Sequence, residues 1–539
     1  PSGHKYYVTN PWDEIEIRRS RRGPASWKPT RVFEMFEKCV QNAPQSVYWK
    51  KEYLTDKSDP NSYAWKEWTR QQVYDLTQQA ARAFIACGLQ PWQSVAIIGF
   101  NSPEWLLADL GAIYAGGIVA GIYTTNNSGQ CEYIAAHSKA AVAVVEGQKQ
   151  LHKFLKIRDT LQDLKVIVVW DIDEDDPIIA ESNANASSKT SAKVMHWNEF
   201  IKLGNNDETK KELDLQKEKR MSDIKPGQCC TLIYTSGTTG PPKAVMCSHD
   251  NITWQSRIIL EHVKSVKKDG SEHASVSFLP LSHIAAQLLD IFCPMAFTAY
   301  VPACKSWQMY FARPTALKGT LGLTLRAARP TIFFGVPRVW EKMQETIIKK
   351  ARENPPSTVM KYVIDYLKDV NLRAYYAQQL GGDMNKPFAY NFAKSLLTKK
   401  VQSALGFDRI QCCFSGAAPI APSTLEFWGS LGFSIIEVYG MSESSGVHTV
   451  GLPYYYKQGT VGVPITGVTT LLQNDPDRDK PGHGEICMRG RHIMMGYMYD
   501  DDKSKRTIDD EGYLHSGDVG MIDEKWNVLK ITGRIKELI

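Results

Sequence analysis

The sequence lacks the patterns that would place it in several large protein classes. Its longest apolar tract, residues 288–304, is interrupted by Asp290, Pro294 and Pro302, so it is too short to cross a bilayer. The 11 cysteines show no repeated spacing and no CxxC pair, which argues against a cysteine-ligated metal site. The net charge of +6 on 539 residues comes without a basic stripe, so we expect no nucleic-acid partner.

The cysteines favour a reducing compartment. Cys229-Cys230 and Cys412-Cys413 are adjacent pairs beside apolar runs, and adjacent residues of a strand point to opposite faces of the sheet. We therefore predict reduced core cysteines in an intracellular protein, since no signal peptide is visible either. The one dense basic cluster, residues 18–22, is predicted to be a solvated tail, with contact to a membrane surface as the alternative.

The length and the order of apolar segments predict an α/β protein of several subdomains. A chain of 539 residues exceeds the size of a single hydrophobic core. Strand-like runs at 95–100, 142–146 and 166–170 alternate with helical segments, which favours doubly wound parallel sheets. The predicted units are a first α/β subdomain at 1–225 with a polar, exposed excursion at 171–219, a second α/β subdomain at 226–458, a small distorted β-barrel at 459–533 and the start of a hinge at 534–539.

One stretch rich in glycine and hydroxyl groups carries the strongest functional signal. Tyr234-Thr-Ser-Gly-Thr-Thr-Gly-Pro-Pro-Lys243 follows an apolar, strand-like run. Glycine lets backbone N–H groups approach an anion, while the hydroxyls and Lys243 add donors and positive charge, so the stretch suits a polyphosphate. A turn that binds nothing would need only one or two such residues. A P-loop NTPase is disfavoured, because two prolines precede Lys243 and Ala244 stands where a Walker A loop needs Ser or Thr.

This stretch resembles the phosphate loop of the adenylate-forming enzymes, the acyl-CoA synthetase and luciferase superfamily. Further motifs of that family follow in its order: Leu279-Pro-Leu-Ser-His283, Ser415-Gly-Ala-Ala-Pro419, Tyr439-Gly-Met-Ser-Glu443, Gly484-Glu-Ile-Cys-Met-Arg-Gly490, His515-Ser-Gly-Asp518 and Gly533-Arg-Ile-Lys536. Within the superfamily, Gly335-Val-Pro-Arg-Val-Trp340 and Arg491-His-Ile-Met-Met-Gly496 look most like the bubblegum type of long-chain fatty acyl-CoA synthetases. The resemblance implies a large N-terminal adenylation domain of two doubly wound α/β subdomains plus the small barrel.

The resemblance also implies roles for individual residues. Those expected to bind the nucleotide are Thr235, Ser236, Gly237, Thr238, Thr239, Gly240, Gly416, Ala417, Ala418, Tyr439, Gly440, Asp518 and Arg534. Those expected to act in catalysis are Lys243, His283, Ser442 and Glu443. Glu443 would also bind Mg²⁺, because a hard cation prefers oxygen ligands. Asp518 would accept both ribose hydroxyls, and His283 would border the entrance for the acyl chain and CoA.

The activity that this resemblance implies is that of a long-chain fatty acid–CoA ligase. Such an enzyme uses ATP and Mg²⁺ to convert a fatty carboxylate into acyl-AMP and pyrophosphate, and CoA as co-substrate then takes the acyl group as a thioester. The alternatives are a ligase for a non-fatty carboxylic acid, and a binder of nucleotide and acyl chain with little turnover. We expect a cytoplasmic location, with peripheral contact to the endoplasmic reticulum or other internal membranes as the alternative, and no obligate protein partner.

Three departures from the family pattern affect these expectations. Ala244 replaces the usual glycine, which would strain the loop if the position requires positive φ. Residues 284–287 offer no aromatic side chain as an acyl gate. The family's C-terminal α+β lid domain, which carries a catalytic lysine, is expected to be missing, and turnover is expected to be low. Arg338 is expected either to pair with a carboxylate or to face phosphate.

Overall fold

The structure, a computed structural model, describes residues 6–56, 58–59, 62–186, 191–235, 240–262, 272–301, 306–453 and 455–537. The strands of these residues are β1 Val47–Leu54, β2 Tyr63–Thr69, β3 Ser94–Ile98, β4 Ile118–Ile122, β5 Ala140–Glu146, β6 Val166–Trp170, β7 Lys193–His196, β8 Cys229–Thr235, β9 Lys243–Ser248, β10 Glu272–Ser277, β11 Ser306–Phe311, β12 Ile332–Gly335, β13 Cys412–Ser415, β14 Ile435–Met441, β15 Gly446–Val450, β16 Val463–Pro464, β17 Thr469–Gln473, β18 His483–Arg489, β19 Gly496–Tyr497, β20 Leu514–Asp523 and β21 Val528–Arg534.

The helices between these strands cover the sheets. They are α1 Val32–Asn42, α2 Arg70–Ala86, α3 Pro103–Tyr114, α4 Ser128–His137, α5 Gly147–Leu155, α6 Pro177–Ala184, α7 Trp197–Leu203, α8 Lys210–Asp223, α9 His249–His262, α10 Ile284–Gln287, α11 Cys293–Tyr300, α12 Leu321–Ala328, α13 Pro337–Glu353, α14 Thr358–Ala377, α15 Tyr390–Ala393, α16 Lys399–Leu405, α17 Pro422–Ser430 and α18 Asp501–Thr507. A π-helical turn at Leu288–Phe292 joins α10 to α11.

The largest sheet has eight strands in the order β19-β9-β8-β4-β3-β5-β6-β7. The pairs from β8 through β4, β3, β5 and β6 to β7 are parallel, and β9 and β19 are antiparallel additions. β3, β4 and β6 are buried along their whole length, which explains why they are almost continuous apolar runs rather than alternating ones. The α/β fold class predicted from the alternation of strands and helices is confirmed.

This sheet crosses the predicted boundaries between the subdomains. β8 and β9 lie beyond residue 225, and β19 lies within the predicted barrel region, yet all three join the first sheet. The physical reason is that β8 pairs with β4 and then turns back into β9, so the edge of the first sheet is completed by later parts of the chain. The division into three units itself stays a prediction.

A second sheet has the order β12-β13-β14-β15-β16, parallel at first and antiparallel after β14. A third sheet has the order β10-β11-β1-β2. It joins the two halves of the sequence, because β1 pairs with β11. Residues 469–534 form an open antiparallel sheet of order β17-β18-β20-β21. Among the described residues these strands do not close into the predicted barrel.

The prediction that residues 171–219 form an exposed excursion is wrong. β7 adds the edge strand to the first sheet by pairing with β6, and α7 buries Trp197 and Phe200. The Phe200 ring lies 4.7 Å from that of Phe84 on α2. A few apolar residues in each short element therefore anchor a segment whose average composition is polar.

Smaller expectations are also settled. The four cysteines of the two adjacent pairs are buried, as predicted. Arg18 of the basic cluster is not solvated, because its guanidinium donates to the carbonyl oxygens of Gly512 and Tyr6 at 2.8 and 2.9 Å. In the part of the chain that the structure describes, no helix is long and apolar enough to cross a membrane.

Candidate active site

A cavity of about 320 Å³ lies where β8, β12, β13 and β14 end. The carboxyl ends of strands are where ligands bind in open α/β sheets. The predicted site residues that line the cavity are Thr235, His283, Ala417, Tyr439, Gly440, Ser442, Glu443 and Arg534. Residues separated by up to 300 positions in the sequence are thus brought to one place, although their roles stay predictions.

Asp518 connects two of these residues at the end predicted to bind ribose. The Tyr439 hydroxyl donates to Asp518 Oδ2 at 2.8 Å, and Arg534 Nε donates to Asp518 Oδ1 at 3.0 Å. Asp518 and Arg534 are direct partners across β20 and β21, which fixes their separation. Burial, and next the Asp518 charge, raise the pKa of Tyr439 well above its usual value, so the phenol remains a donor. The carboxylate is held in place but retains lone pairs for a ligand.

Lys243 and Glu443 both contact Tyr497, and of the two only Glu443 lines the cavity. Tyr497 lies between them, because its hydroxyl donates to Glu443 Oε1 at 2.7 Å and its ring centroid lies 4.8 Å from Lys243 Nζ. Burial lowers the pKa of Lys243, and the Glu443 carboxylate opposes that shift. The Met494 N–H donates to the Glu443 carbonyl oxygen at 2.9 Å and fixes the backbone there.

Sequence reasoning missed Tyr497. It lies in β19 opposite Val245 of β9, and this antiparallel pair places its hydroxyl beside Glu443. A signal was available, since Tyr497 directly follows the Arg491–Gly496 motif. Its contact with Glu443 nevertheless depends on strand pairing between residues about 250 positions apart, and local pattern does not reveal such pairing.

The phosphate loop itself is only partly described. Ser236, Gly237, Thr238 and Thr239 lie outside the described residues. Gly240 has φ 95°, in the region that favours glycine, and nothing lies within 4 Å of a Cβ placed there. Ala244 lies inside β9 opposite Tyr234 and is not among the residues with positive φ, so the strain expected for an alanine at this position does not arise.

Three small residues predicted to bind the nucleotide, Gly416, Ala417 and Ala418, follow the end of β13. A Cβ on Gly416 would come within 2.6 Å of Val438 Cγ2, so the close approach of the loop to β14 requires glycine there. Ala417 has φ 71°, a conformation that costs a non-glycine residue on the order of 1 kcal/mol and is typical of functional sites. Ala417 and Ala418 are both exposed, and of the three small residues only Ala417 lines the cavity.

His283 caps the N-terminus of α10. Its Nδ1 accepts the Ala285 N–H at 3.2 Å, which leaves Nε2 to carry the proton of the neutral ring. Burial lowers the pKa of His283, so the neutral form is favoured at pH 7. The ring therefore offers a hydrogen-bond donor, not a fixed charge, at the wall of the cavity.

The other wall of the cavity is apolar. Its side chains come from α9, the π-helical turn, β12, β13, β14 and β15, and they are Ile259, Leu288, Leu289, Phe334, Phe414, Val438, Met441, Val447 and Val450. A π-helical turn inside a helix frequently marks a functional site. Each of these residues fits an ordinary core pattern in its own element, so the sequence distinguishes none of them as a cavity residue.

A second polar cluster supports the loop that carries Asp518. His515 Nδ1 lies 3.0 Å from Glu485 Oε2, and its Nε2 lies 3.3 Å from Asp509 Oδ2. The other oxygen of Glu485 accepts the Gly517 N–H at 2.8 Å. Glu485 therefore links the imidazole to the backbone one residue before Asp518. Both residues lie in motifs quoted above, but their pairing is a property of the β18–β20 register.

The charge state of this cluster follows from its contacts. The Cys487 sulfur at 3.6 Å, then the Glu485 carboxylate, raise the pKa of His515 to about 11. Burial opposes ionisation of Glu485, but hydrogen bonds from His515 and the Gly517 N–H hold its pKa below the usual value. Glu485, Cys487 and His515 lie close enough to share a metal ion. Because both ring nitrogens face carboxylates, the geometry favours imidazolium over a metal ligand.

Arg338 does not belong to the site. Its guanidinium is exposed and lies 3.1 Å from Glu341 and 3.0 Å from Glu345, one and two turns along α13. Of the two expectations stated for Arg338, pairing with a carboxylate is therefore confirmed. Exposed pairs of this kind contribute little stability.

Comparison with known proteins agrees with a nucleotide-binding α/β enzyme. The profile of the AMP-binding enzyme family matches residues 45–498. The chain belongs to that family.

Named relatives are similar over nearly the whole chain. It is 43% identical over 525 residues to the long-chain-fatty-acid–CoA ligase ACSBG2 of Xenopus laevis, covering 97% of this chain and 66% of that protein. Identity to ACSBG2 of Homo sapiens is 37%, covering 98% and 72%, and identity to ACSBG1 of Homo sapiens is 41%, covering 88% and 61%. The chain spans about two thirds of the length of these relatives.

Solved structures share the fold at low identity. The anthranilate CoA ligase AuaEII in complex with anthranoyl-AMP has a TM-score of 0.67 at 18% identity, covering 95% of this chain and 80% of that one. The A-PCP didomain of a carboxylic acid reductase from Segniliparus rugosus, in complex with AMP, has a TM-score of 0.69 at 18% identity, covering 95% and 66%. At this identity the likeness shows the fold alone.

Proposed function

We propose that the protein is a long-chain-fatty-acid–CoA ligase. The observation that carries the proposal is a single cavity with polar lining residues and an apolar wall. Two predicted residues lie directly behind that lining: Asp518 is bonded to Tyr439 and Arg534, and Lys243 contacts the Tyr497 ring, whose hydroxyl donates to Glu443. The names of the ACSBG2 relatives reported above support a fatty acid as the substrate.

The first step would transfer the adenylyl group of ATP. A carboxylate oxygen of the fatty acid attacks the α-phosphorus, the bond to the β-phosphate breaks, and acyl-AMP and pyrophosphate form. Lys243 supplies a positive charge on the side predicted to face the phosphates, where negative charge develops on the leaving group. Asp518, fixed by Tyr439 and Arg534, would orient the ribose and thereby the α-phosphate.

The donors at the polar end suit a magnesium ion. Glu443, Ser442 and Thr235 offer carboxylate and hydroxyl oxygens, and a hard cation prefers such ligands. Bound there, Mg²⁺ would neutralise phosphate charge. Tyr497 would orient the Glu443 carboxylate through its hydrogen bond.

The second step would transfer the acyl group to CoA. The CoA sulfur attacks the acyl carbonyl carbon, the bond to the phosphate oxygen of AMP breaks, and a thioester and AMP form. His283 lies at the wall where both substrates would meet, and its Nε2–H could donate to the carbonyl oxygen. The protein would act in the cytoplasm, with fatty acid, ATP and CoA as its small-molecule partners.

A ligase for a small or aromatic acid is the second candidate. The apolar wall disfavours it, because a short acid would leave most of that surface in contact with water. A binder with little turnover is disfavoured by the presence of both Lys243 and Glu443.

The test is a screen of thioester formation by the full-length protein, from acetate to very long-chain acids, with ATP, Mg²⁺ and CoA. We expect acyl-CoA and AMP to form in equal amounts and fastest with long-chain acids. A Lys243→Ala protein run with the same acids controls for contaminating ligases. Reaction of only short or aromatic acids would remove the long-chain assignment, and no AMP from any acid would remove the ligase proposal.

A further inference from the structure

The first part of α14 projects an apolar surface into solvent. Val359, Met360, Tyr362 and Tyr366 are 75%, 51%, 74% and 53% exposed, and the buried residues of the helix begin only at Leu367. Large apolar side chains that stand together on a surface indicate an interaction site, whereas single ones do not.

A second row of aromatic residues lies beside α14. Phe388 is completely exposed and Phe392, on α15, is 57% exposed. Leu367 and Val370 of α14 pack with Ala393 of α15 in a small buried cluster, so the two helices lie side by side. We define the apolar helical surface as Val359, Met360, Tyr362, Tyr366, Phe388 and Phe392.

The segment of the chain that contains this surface carries a net positive charge. Residues 337–405 contain 12 Lys and Arg against 6 Asp and Glu. Their net charge of +6 equals that of the whole chain, so the other residues together are neutral. Lys350 and Arg352 at the end of α13 and Lys361 in α14 are exposed close in sequence to the apolar side chains.

We propose that the apolar helical surface docks on an anionic lipid membrane. Phe and Tyr side chains would enter the boundary between headgroups and acyl chains, and the surrounding lysines and arginines would contact lipid phosphates. Lysine is depleted in protein–protein interfaces, so its abundance around exposed aromatic residues favours lipid over a protein partner.

The positively charged segment follows directly, along the chain, a strand that lines the cavity. β12 contributes Phe334 to the apolar wall of the cavity and continues after Val336 into α13, the first helix of the positively charged segment. The proposal does not depend on the ligase activity. The basic cluster at residues 18–22, by contrast, has Arg18 engaged with backbone carbonyls and offers no comparable apolar surface.

Vesicle co-sedimentation of the full-length protein tests the proposal. The vesicles contain phosphatidylcholine alone, or phosphatidylcholine and phosphatidylserine at about 7:3. We expect binding to the mixed vesicles at least about tenfold stronger than to the neutral ones, and weakened by high salt. No binding to the mixed vesicles, or equal binding to both, would overturn the proposal.

Two sets of variants locate the contact. The triple variant Tyr362→Ser, Phe388→Ser, Phe392→Ser and the triple variant Lys350→Glu, Arg352→Glu, Lys361→Glu should each lower binding to mixed vesicles at least about tenfold. The control, Leu215→Ser with Leu471→Ser, changes side chains that are 61% and 45% exposed elsewhere and should bind like the wild type. Circular dichroism checks that every variant is folded.

Other results would point elsewhere. An equal loss in the control would mean that the contact does not reside on α14 and α15. Unchanged vesicle binding in the serine variant, with a lower mass by light scattering, would assign the surface to a second copy of the chain. Either outcome would overturn the proposal.

Discussion

The two walls of the cavity are built in different ways. The polar part of the site consists of a few side chains held by specific hydrogen bonds. Tyr439 and Arg534 both donate to Asp518, and Tyr497 donates to Glu443. The apolar wall is assembled from residues of several separate helices and strands.

This difference teaches where single substitutions should matter. A hydrogen-bonded charge acts alone, so its removal leaves a specific gap in the chemistry of the site. An apolar side chain shares its surface with many neighbours, so its removal changes the shape of the wall by only a small amount. The following predictions would sharpen the comparison or break it.

The largest effect is expected for Glu443→Gln. It keeps the shape of the side chain and removes the charge that would hold Mg²⁺, so ATP–pyrophosphate exchange should fall by on the order of 100-fold or more. The measurement is exchange of labelled pyrophosphate with a long-chain acid at saturating ATP. Tyr497→Phe, which removes only the hydrogen bond to Glu443, should lose far less. Similar losses in the two variants would mean that Tyr497 is more than an orienting residue.

An intermediate effect is expected for His515→Gln. The variant removes the imidazole that holds Glu485 Oε2, whereas the other oxygen of Glu485 still accepts from the Gly517 N–H in the loop of Asp518. The apparent KM for ATP should rise by about tenfold with little change in kcat, because the residue positions the loop and touches no reacting atom. A fall in kcat at unchanged KM would contradict a positioning role.

The pH dependence of stability independently tests the charge state of His515. The folded-state pKa of about 11 lies above the unfolded value of about 6.5, so the stabilisation is complete below about pH 6.5 and is lost as pH rises towards 11. Wild-type Tm should therefore fall over this range relative to His515→Gln. Cys487→Ala removes the group that raises the pKa of His515 most, so its stability should fall at a lower pH than that of the wild type, while Glu485 retains part of the effect. An unchanged profile would mean that Glu485 rather than the sulfur holds the charge.

The smallest effect is expected on the apolar wall. Phe334→Ala enlarges the cavity at one point and should change the ratio of kcat/KM between long and medium chains by only a few fold, about 3 to 10. The measurement is a competition assay with two acids, with Leu471→Ala as a surface control. A loss as large as that of Glu443→Gln would break the comparison between the walls.

Local patterns predicted much of this protein because they depend on near neighbours in the chain. The apolar runs of β3, β5 and β6 predicted a parallel sheet covered on both faces, and the adjacent cysteines predicted buried thiols. The excursion at 171–219 was wrong because average composition conceals anchors such as Trp197 and Phe200.

What the sequence by itself determined is most of the polar groups near the cavity, such as Glu443 and Asp518, since each of these lies in a short motif whose backbone geometry is local; Tyr497 is the exception. Only the tertiary structure decided which of them meet: β19 on β9 places Tyr497 beside Glu443, and β18 on β20 places Glu485 beside His515. Only the tertiary structure also decided which apolar residues line the cavity and which are exposed on α14. Strand pairing and burial join residues hundreds of positions apart, and no local pattern encodes which distant partner a strand or an apolar face will find.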